Sequence, residues 1–221
     1  MISNNIDSII FDVDGTINQT EVYAVKAYRK ALEETGKTGF SDQELIERIG
    51  APFEQDIRYF FGESQSEQVK LFQNLIQKYW IDGMKESAQT FEGIHKMLEE
   101  LKEKGYKLAI CSNASKWELD VILSKLEVKD YFDVIQGVTE KNNKMYSLEE
   151  LLRREKPEFA VMVGDRSYDK EAARYNQIPF IGCKYGYGKP EELSDCKYSV
   201  ETALELPRVI DKIVSVWGGV V

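Results

Sequence analysis

The sequence predicts an α/β fold: a doubly wound parallel sheet with an α-helical cap domain inserted after the first strand. Three observations carry that prediction. Short apolar runs recur along the chain, each followed by a longer amphipathic segment. The runs are continuous rather than alternating, which suits strands buried on both faces. One long stretch, about 18–87, interrupts the rhythm with helical patterns alone.

The first strand is Ser8-Ile9-Ile10-Phe11. Helical patterns follow over 23–34, 42–49, 53–61 and 67–80, punctuated by Gly36, Gly39, Gly50-Ala51-Pro52 and Gly62. A helical block between the first two strands of a sheet is best explained as an inserted cap. Its junctions fall near Asn18 and Gln89, so residues 1–17 and 88–221 form the core and 18–87 the cap. Ile94, Met97, Leu98 and Leu101 then share one helical face, and Gly105 ends that helix. Lys107-Leu108-Ala109-Ile110-Cys111 is the second strand, and Leu119, Ile122, Leu123 and Leu126 repeat the helical spacing. A weaker run over 131–135 and strong runs over 159–163 and 179–183 complete the sheet.

The 221 residues carry a formal charge of −9, with 43% hydrophobic and 30% charged side chains. Those proportions exclude wholesale disorder. The acidic balance argues against a nucleic-acid partner, because phosphates would be repelled over most of the surface. No stretch approaches the roughly 18 apolar residues of a membrane span. Met1 to Asp7 has neither a basic flank nor an apolar signal core. Cys111, Cys183 and Cys196 are odd in number and lack metal-like spacing. Cys111 and Cys183 sit in apolar runs as small core residues. A reducing, cytoplasmic setting is the expectation. The oligomeric state, monomer or dimer, is left open.

The chemistry concentrates at strand ends. Phe11-Asp12-Val13-Asp14-Gly15-Thr16-Ile17 places two aspartates where open α/β sheets bind ligands. Carboxylates held together repel, so the pair needs a cation such as Mg²⁺ or a shared proton. Val161-Met162-Val163-Gly164-Asp165 puts a third aspartate at a strand end, and Asp169 follows in the first turn of a helix starting near Ser167. Asp169 there also suits a helix cap. Hard oxygen ligands from two strand ends are what Mg²⁺ prefers. Ser112 and Asn113 lie between a strand and a helix, where hydroxyl and backbone N–H groups hold an anion or simply cap the helix.

On these residues the chain resembles the haloacid dehalogenase superfamily, in its capped phosphoglycolate-phosphatase-like branch. The resemblance covers almost the whole chain: Asp12-Val13-Asp14-Gly15-Thr16, then Ser112-Asn113, then a lysine, then Gly164-Asp165-Arg166-Ser167-Tyr168-Asp169. Lys144 matches the lysine, with Lys141 as the weaker candidate. The resemblance implies a Mg²⁺-dependent phosphatase acting on a small phosphomonoester, such as phosphoglycolate, a nucleotide or a sugar phosphate. It makes Asp12 the nucleophile that forms an aspartyl-phosphate and Asp14 the general acid and base. It assigns metal binding to the Asp12 carboxylate, the Asp14 carbonyl, Asp165 and Asp169, the last through water or by orienting Lys144. Ser112, Asn113 and Lys144 would hold the phosphoryl group. Asp14 separates this reading from family dehalogenases, which lack an acid at that place.

A sugar phosphomutase of the same superfamily is the alternative. Mutases tend to carry a cap histidine, here falling near Ala24, and an arginine after the cap glycine, absent from Gly50-Ala51-Pro52-Phe53-Glu54. A non-catalytic phospho-ligand binding protein and a phosphorylatable receiver domain stand further off. The turn also departs from the family pattern Leu-x-Asp-Ser, reading Ile17-Asn18-Gln19-Thr20. Arg48 and Arg58 are read as exposed helix charges, Tyr59-Phe60-Phe61 as cap core, and His95 as a surface residue. Lys184-Tyr185-Gly186-Tyr187-Gly188 resembles a loop that relatives place beside the site, and reads equally well as a general loop.

Overall fold

The computed structural model describes residues 8–63 and 66–217. The expectation about Met1 to Asp7 lies outside them. Strand β1 (Ser8–Phe11) is followed by helices α1 (Glu21–Glu34), α2 (Asp42–Ile46), α3 (Phe53–Phe61) and α4 (Glu67–Ser87). Next come α5 (Ile94–Glu103), β2 (Lys107–Cys111), α6 (Lys116–Lys125), β3 (Val134–Gln136), α7 (Lys144–Glu155) and β4 (Ala160–Gly164). The last elements among the described residues are α8 (Ser167–Tyr175), β5 (Phe180–Cys183), α9 (Pro190–Leu193), β6 (Tyr198–Val200) and α10 (Leu206–Trp217).

The six strands form one parallel sheet in the order β3-β2-β1-β4-β5-β6. Chain order reverses at β1, so the tips of β1, β2 and β4 flank the switch point where such sheets bind ligands. Alternate strand residues serve two cores. Ile9, Phe11, Leu108, Ile110, Val161 and Val163 pack with α5, α6 and α10. Ile10, Ala109, Cys111 and Met162 pack with α7 and α8. A period of two with both sides apolar is the continuous run seen in the sequence.

The helical insertion has its own apolar cluster, with Tyr28, Ala31, Leu32, Leu45, Phe60, Phe72 and Ile76 buried together. Helix α1 lies along α4, and Trp80 meets Tyr23 and Tyr28 edge to face. Two crossing segments join the insertion to the sheet. The Gln19 N–H donates to the Gln89 carbonyl at 2.9 Å, and the Phe91 N–H to the Ile17 carbonyl at 3.0 Å.

Several boundaries differ from expectation. Helix α4 continues past Trp80 to Ser87 because Met84 is buried in the sheet's own core, a tertiary contact that local pattern does not carry. Helix α2 stops at Ile46 and the chain turns through Ile49 to Gly50. The weak run at 131–135 splits into a 3₁₀ turn over Lys129–Tyr131 and strand β3. Strand β6 was not anticipated; it is a three-residue edge strand, too short for a pattern. Among the described residues, no helix is long and apolar enough to cross a membrane.

Candidate active site

Asp12, Asp165 and Ser112 owe their places to strand tips. Asp12 follows β1, and its N–H donates to the Val163 carbonyl of β4 at 2.9 Å. Asp165 follows β4 directly, and Ser112 follows β2, with its N–H on the Gln136 carbonyl of β3 at 3.1 Å. Parallel register therefore carries three separate segments to one edge. Helices α7 and α8 then point their first turns at the same edge, bringing in Lys144 and Asp169.

Lys144 is the hub. Its Nζ lies 2.7 Å from Asp12 Oδ1 and 2.5 Å from Asp169 Oδ1, with all three side chains buried. Asp12, Asp165 and Asp169 offer carboxylate oxygens within 4.8 Å of one another. Asp169 also caps α8, its Oδ2 accepting from the Arg166 N–H at 3.0 Å. Asp169 thus caps α8 through Oδ2 and meets Lys144 through Oδ1. Lys141 is exposed and lies over the Tyr146 ring, away from these carboxylates.

Three buried carboxylates against one ammonium leave an excess of negative charge. Burial, followed by repulsion from Asp169, pushes Asp12 up to about 7, although Lys144 opposes the rise. Burial and repulsion from Asp169 and Asp12 hold Asp165 well above the usual carboxylate range. Lys144 loses from burial but gains more from Asp12 and Asp169, and stays charged. Hard oxygen donors short of positive charge fit a divalent cation.

Asp14 stands apart from that cluster. Its Oδ1 accepts from Thr20 Oγ1 at 2.6 Å and from Asn18 Nδ2 at 3.2 Å. Burial raises its pKa, and the bonds from Thr20 and Asn18 temper the rise. The residues of the departing turn thus fix the carboxyl of Asp14. Gln19 accepts from Gln89 Nε2 at 2.5 Å, so a neutral amide pair joins the two crossing segments. Gly15 adopts φ +82°, and a Cβ there would run into the Asp165 carboxylate.

Ser112 is buried, and its Oγ accepts from the Ala114 N–H at 3.2 Å. Asn113 donates through Nδ2 to the Gly50 carbonyl of the insertion at 3.3 Å. The loop Lys184–Gly188 does lie beside the site. The Tyr187 N–H donates to Asp165 Oδ2 at 2.6 Å, and Tyr185 Oη donates to the Thr16 carbonyl at 2.9 Å. A Cβ at Gly186 would collide with Asp165 and with the Gly15 carbonyl. His95 is exposed, as expected.

A family model described as haloacid dehalogenase-like hydrolase matches residues 9–183, from β1 through β5. The chain belongs to this family. Phosphoglycolate phosphatase of Aquifex aeolicus is 31% identical over 190 residues, covering 82% of this chain and 86% of the relative. The relative named tyrosine-protein kinase PtkA, from Mycobacterium tuberculosis, is 26% identical over 200 residues, covering 88% and 67%. A predicted phosphatase from Clostridium acetobutylicum superposes with a TM-score of 0.84 at 25% identity, covering 94% of this chain and 99% of that one. The chain is therefore a haloacid dehalogenase-type hydrolase of the phosphatase kind.

Two features of this hydrolase escaped sequence reasoning. Arg166, beside Asp165, is buried and reaches into the insertion. Its Nη1 donates to the carbonyls of Ile49 at 2.5 Å and Glu47 at 3.3 Å, and its Nε pairs with Glu192 at 3.3 Å. An arginine inside a motif carries no signal of a distant backbone partner. Arg48 is not the exposed helix charge expected. Its Nε lies 2.8 Å from Asp56 Oδ1, and Tyr28 Oη donates to Asp56 Oδ2 at 2.5 Å. The turn after α2 tips Arg48 inward, which a helix running to Ile49 would not do. Arg58 is exposed as expected; Phe60 is buried in the apolar cluster of the insertion, whereas Tyr59 is largely exposed.

Proposed function

We propose that this hydrolase removes the phosphoryl group of a small phosphomonoester, with Mg²⁺ as cofactor and Asp12 as nucleophile. The observation that carries the reading is Lys144, held between Asp12 and Asp169 inside a buried cluster of three carboxylates. The Asp12 and Asp165 carboxylates, the Asp14 carbonyl and Asp169 are the proposed metal ligands, directly or through water. When bound, Mg²⁺ would draw charge from the phosphoryl oxygens and offset the repulsion among the carboxylates.

The chain's own residues do the rest. Lys144 opposes the rise in the Asp12 pKa and aims the carboxylate by taking its Oδ1, which leaves Oδ2 to attack phosphorus in line. The P–O bond to the alcohol breaks as the Asp12–phosphorus bond forms. Asp14, its pKa raised by burial, gives its proton to the departing oxygen. It then takes a proton from the water that releases phosphate and restores Asp12. Lys144, Ser112 and Asn113 sit around the transferring group and stabilise its charge.

Residues 18–87 act as a cap over a core formed by 1–17 and 88–221. The contacts from Arg166 and Asn113 to the Glu47–Gly50 turn support that division. The room beside Asp14 is a cavity walled by the insertion, which favours a small alcohol over a protein side chain as leaving group, despite the relative named as a kinase. Ala24, the place where a mutase histidine falls, lies on α1 and is buried in the apolar cluster that includes the sheet, which supports hydrolysis over isomerisation. Three free cysteines support a reducing, cytoplasmic setting.

The test is hydrolysis of an aryl phosphate with Mg²⁺ or with EDTA. Turnover should require Mg²⁺ and fall by about 10⁴-fold or more in Asp12→Asn, as loss of a nucleophile does. Equal turnover in EDTA, or an active Asp12→Asn protein, would contradict the reading.

A further inference from the structure

The cavity beside Asp14 has a volume of about 400 Å³ and is walled partly by the insertion and partly by the core. Asp14 and Asn113 both line it, so it adjoins the proposed phosphoryl site on the side of the general acid, where a leaving group would lie. Its charge inventory is unusual for a site that receives phosphate esters. Arg48 is the sole cation among the described residues of the lining, against Asp14, Asp56 and Glu118. Arg48 is already committed: its Nε is 2.8 Å from the buried carboxylate of Asp56. The lining beyond the phosphoryl site therefore carries no spare positive charge. A carboxylate or second phosphate placed there would be desolvated without a counter-ion and repelled by Glu118 and Asp56.

The uncharged part of the lining is made for hydrogen bonds and ring faces. Gln73 and Gln77 lie one turn apart on α4, and Asn142 enters from the core. Trp80, Tyr28 and Phe53 supply aromatic walls. Arg48 Nη2 is buried with no acceptor, a donor that a hydroxyl or carbonyl oxygen could satisfy without bringing charge. A cavity of this size also exceeds what a two-carbon acid would fill.

We propose that the leaving group is an uncharged, polyhydroxylated alcohol of sugar or nucleoside size, selected against alcohols that carry a second anion. This rests on the phosphomonoester reading above. Arg48 and Asp56 then act together: Asp56 cancels the charge of Arg48 and leaves it a neutral-seeking donor.

The experiment compares kcat/KM of the protein with Mg²⁺ on five phosphates. These are an aryl phosphate as reference, a hexose 6-phosphate, a nucleoside 5′-monophosphate, phosphoglycolate and pyrophosphate. At least one of the two neutral leaving groups should exceed both anionic ones by tenfold or more, and the better of the two says whether the source is a sugar or a nucleoside. In Asp56→Asn, which uncovers the Arg48 charge, the ratio of phosphoglycolate to the better neutral substrate should rise about tenfold. Turnover of the aryl phosphate with phosphoglycolate or pyrophosphate preferred, or with no preference, would overturn the proposal while leaving the phosphatase reading intact. No turnover of any phosphate would overturn both. The panel on the unmodified protein decides the matter even if Asp56→Asn fails to fold.

Discussion

The sheet edge and the helical insertion both bury charge, and they meet its cost differently. At the sheet edge, Asp12 and Asp169 share one ammonium, Asp165 stands beside them, and the cluster remains short of positive charge. In the insertion, the buried carboxylate of Asp56 is fully matched by Arg48 and Tyr28 inside a cluster of aromatic rings. Burial raises Asp56 only to about 6, with Tyr28 and Arg48 opposing the rise. An under-compensated cluster is a place waiting for a ligand; a compensated pair shapes a wall. Substitutions at the edge should therefore cost turnover on every substrate, whereas substitutions in the insertion should change which substrate is preferred.

The largest effect that sharpens this contrast is expected at Asp14. Asp14→Asn should slow an alkyl phosphate by about 10²–10⁴-fold, the usual worth of a general acid. An aryl phosphate, whose oxide leaves with less help, should lose much less in the same steady-state assay. Equal losses on both would remove the proton-transfer role.

Next in size is Lys144. Lys144→Gln should lower kcat/KM on all substrates by about 10²–10³-fold, as removal of a positioned donor does. Lys141→Ala, whose side chain lies on Tyr146, should stay within about twofold, in the range of exposed charges. A reversed ranking in parallel kinetics would move the phosphoryl site.

The smallest effect is thermal. Asp12, pushed up to about 7, keeps its proton in the folded state after an unfolded chain would have lost it near its ordinary value of about 3.9. That stabilisation is full below about pH 4 and is lost as pH rises through 7. In EDTA the Tm should therefore fall between pH 4 and pH 7. Mg²⁺ at a hundred times its dissociation constant should add about 2.7 kcal/mol near pH 7.5. For a chain of this size that is roughly 5–10 °C, shrinking towards pH 5 as protons compete. A Mg²⁺ shift independent of pH would break the link between the metal and these carboxylates.

The edge was far more legible in the sequence than the insertion. Asp12, Asp14 and Asp165 stand directly after apolar runs, and parallel register alone brings such positions together. Lys144 is a better match than Lys141 to the lysine of the family pattern, and the first turn of α7 brings it against Asp12. Arg48 was misread because its role depends on a helix ending early at Ile46 and on a carboxylate eight residues away on another helix. Arg166 was missed because its partners are backbone carbonyls, which have no sequence identity. Side-chain chemistry at strand tips leaves a local signature; contacts across an interface to main-chain atoms leave none.

The most direct test of the account is to quench the enzyme in acid during turnover with Mg²⁺ and map the peptide that carries phosphate. The account predicts one hydroxylamine-sensitive phosphoryl group on Asp12, absent from the Asp12→Asn protein. Steady turnover with the label on another residue would contradict it.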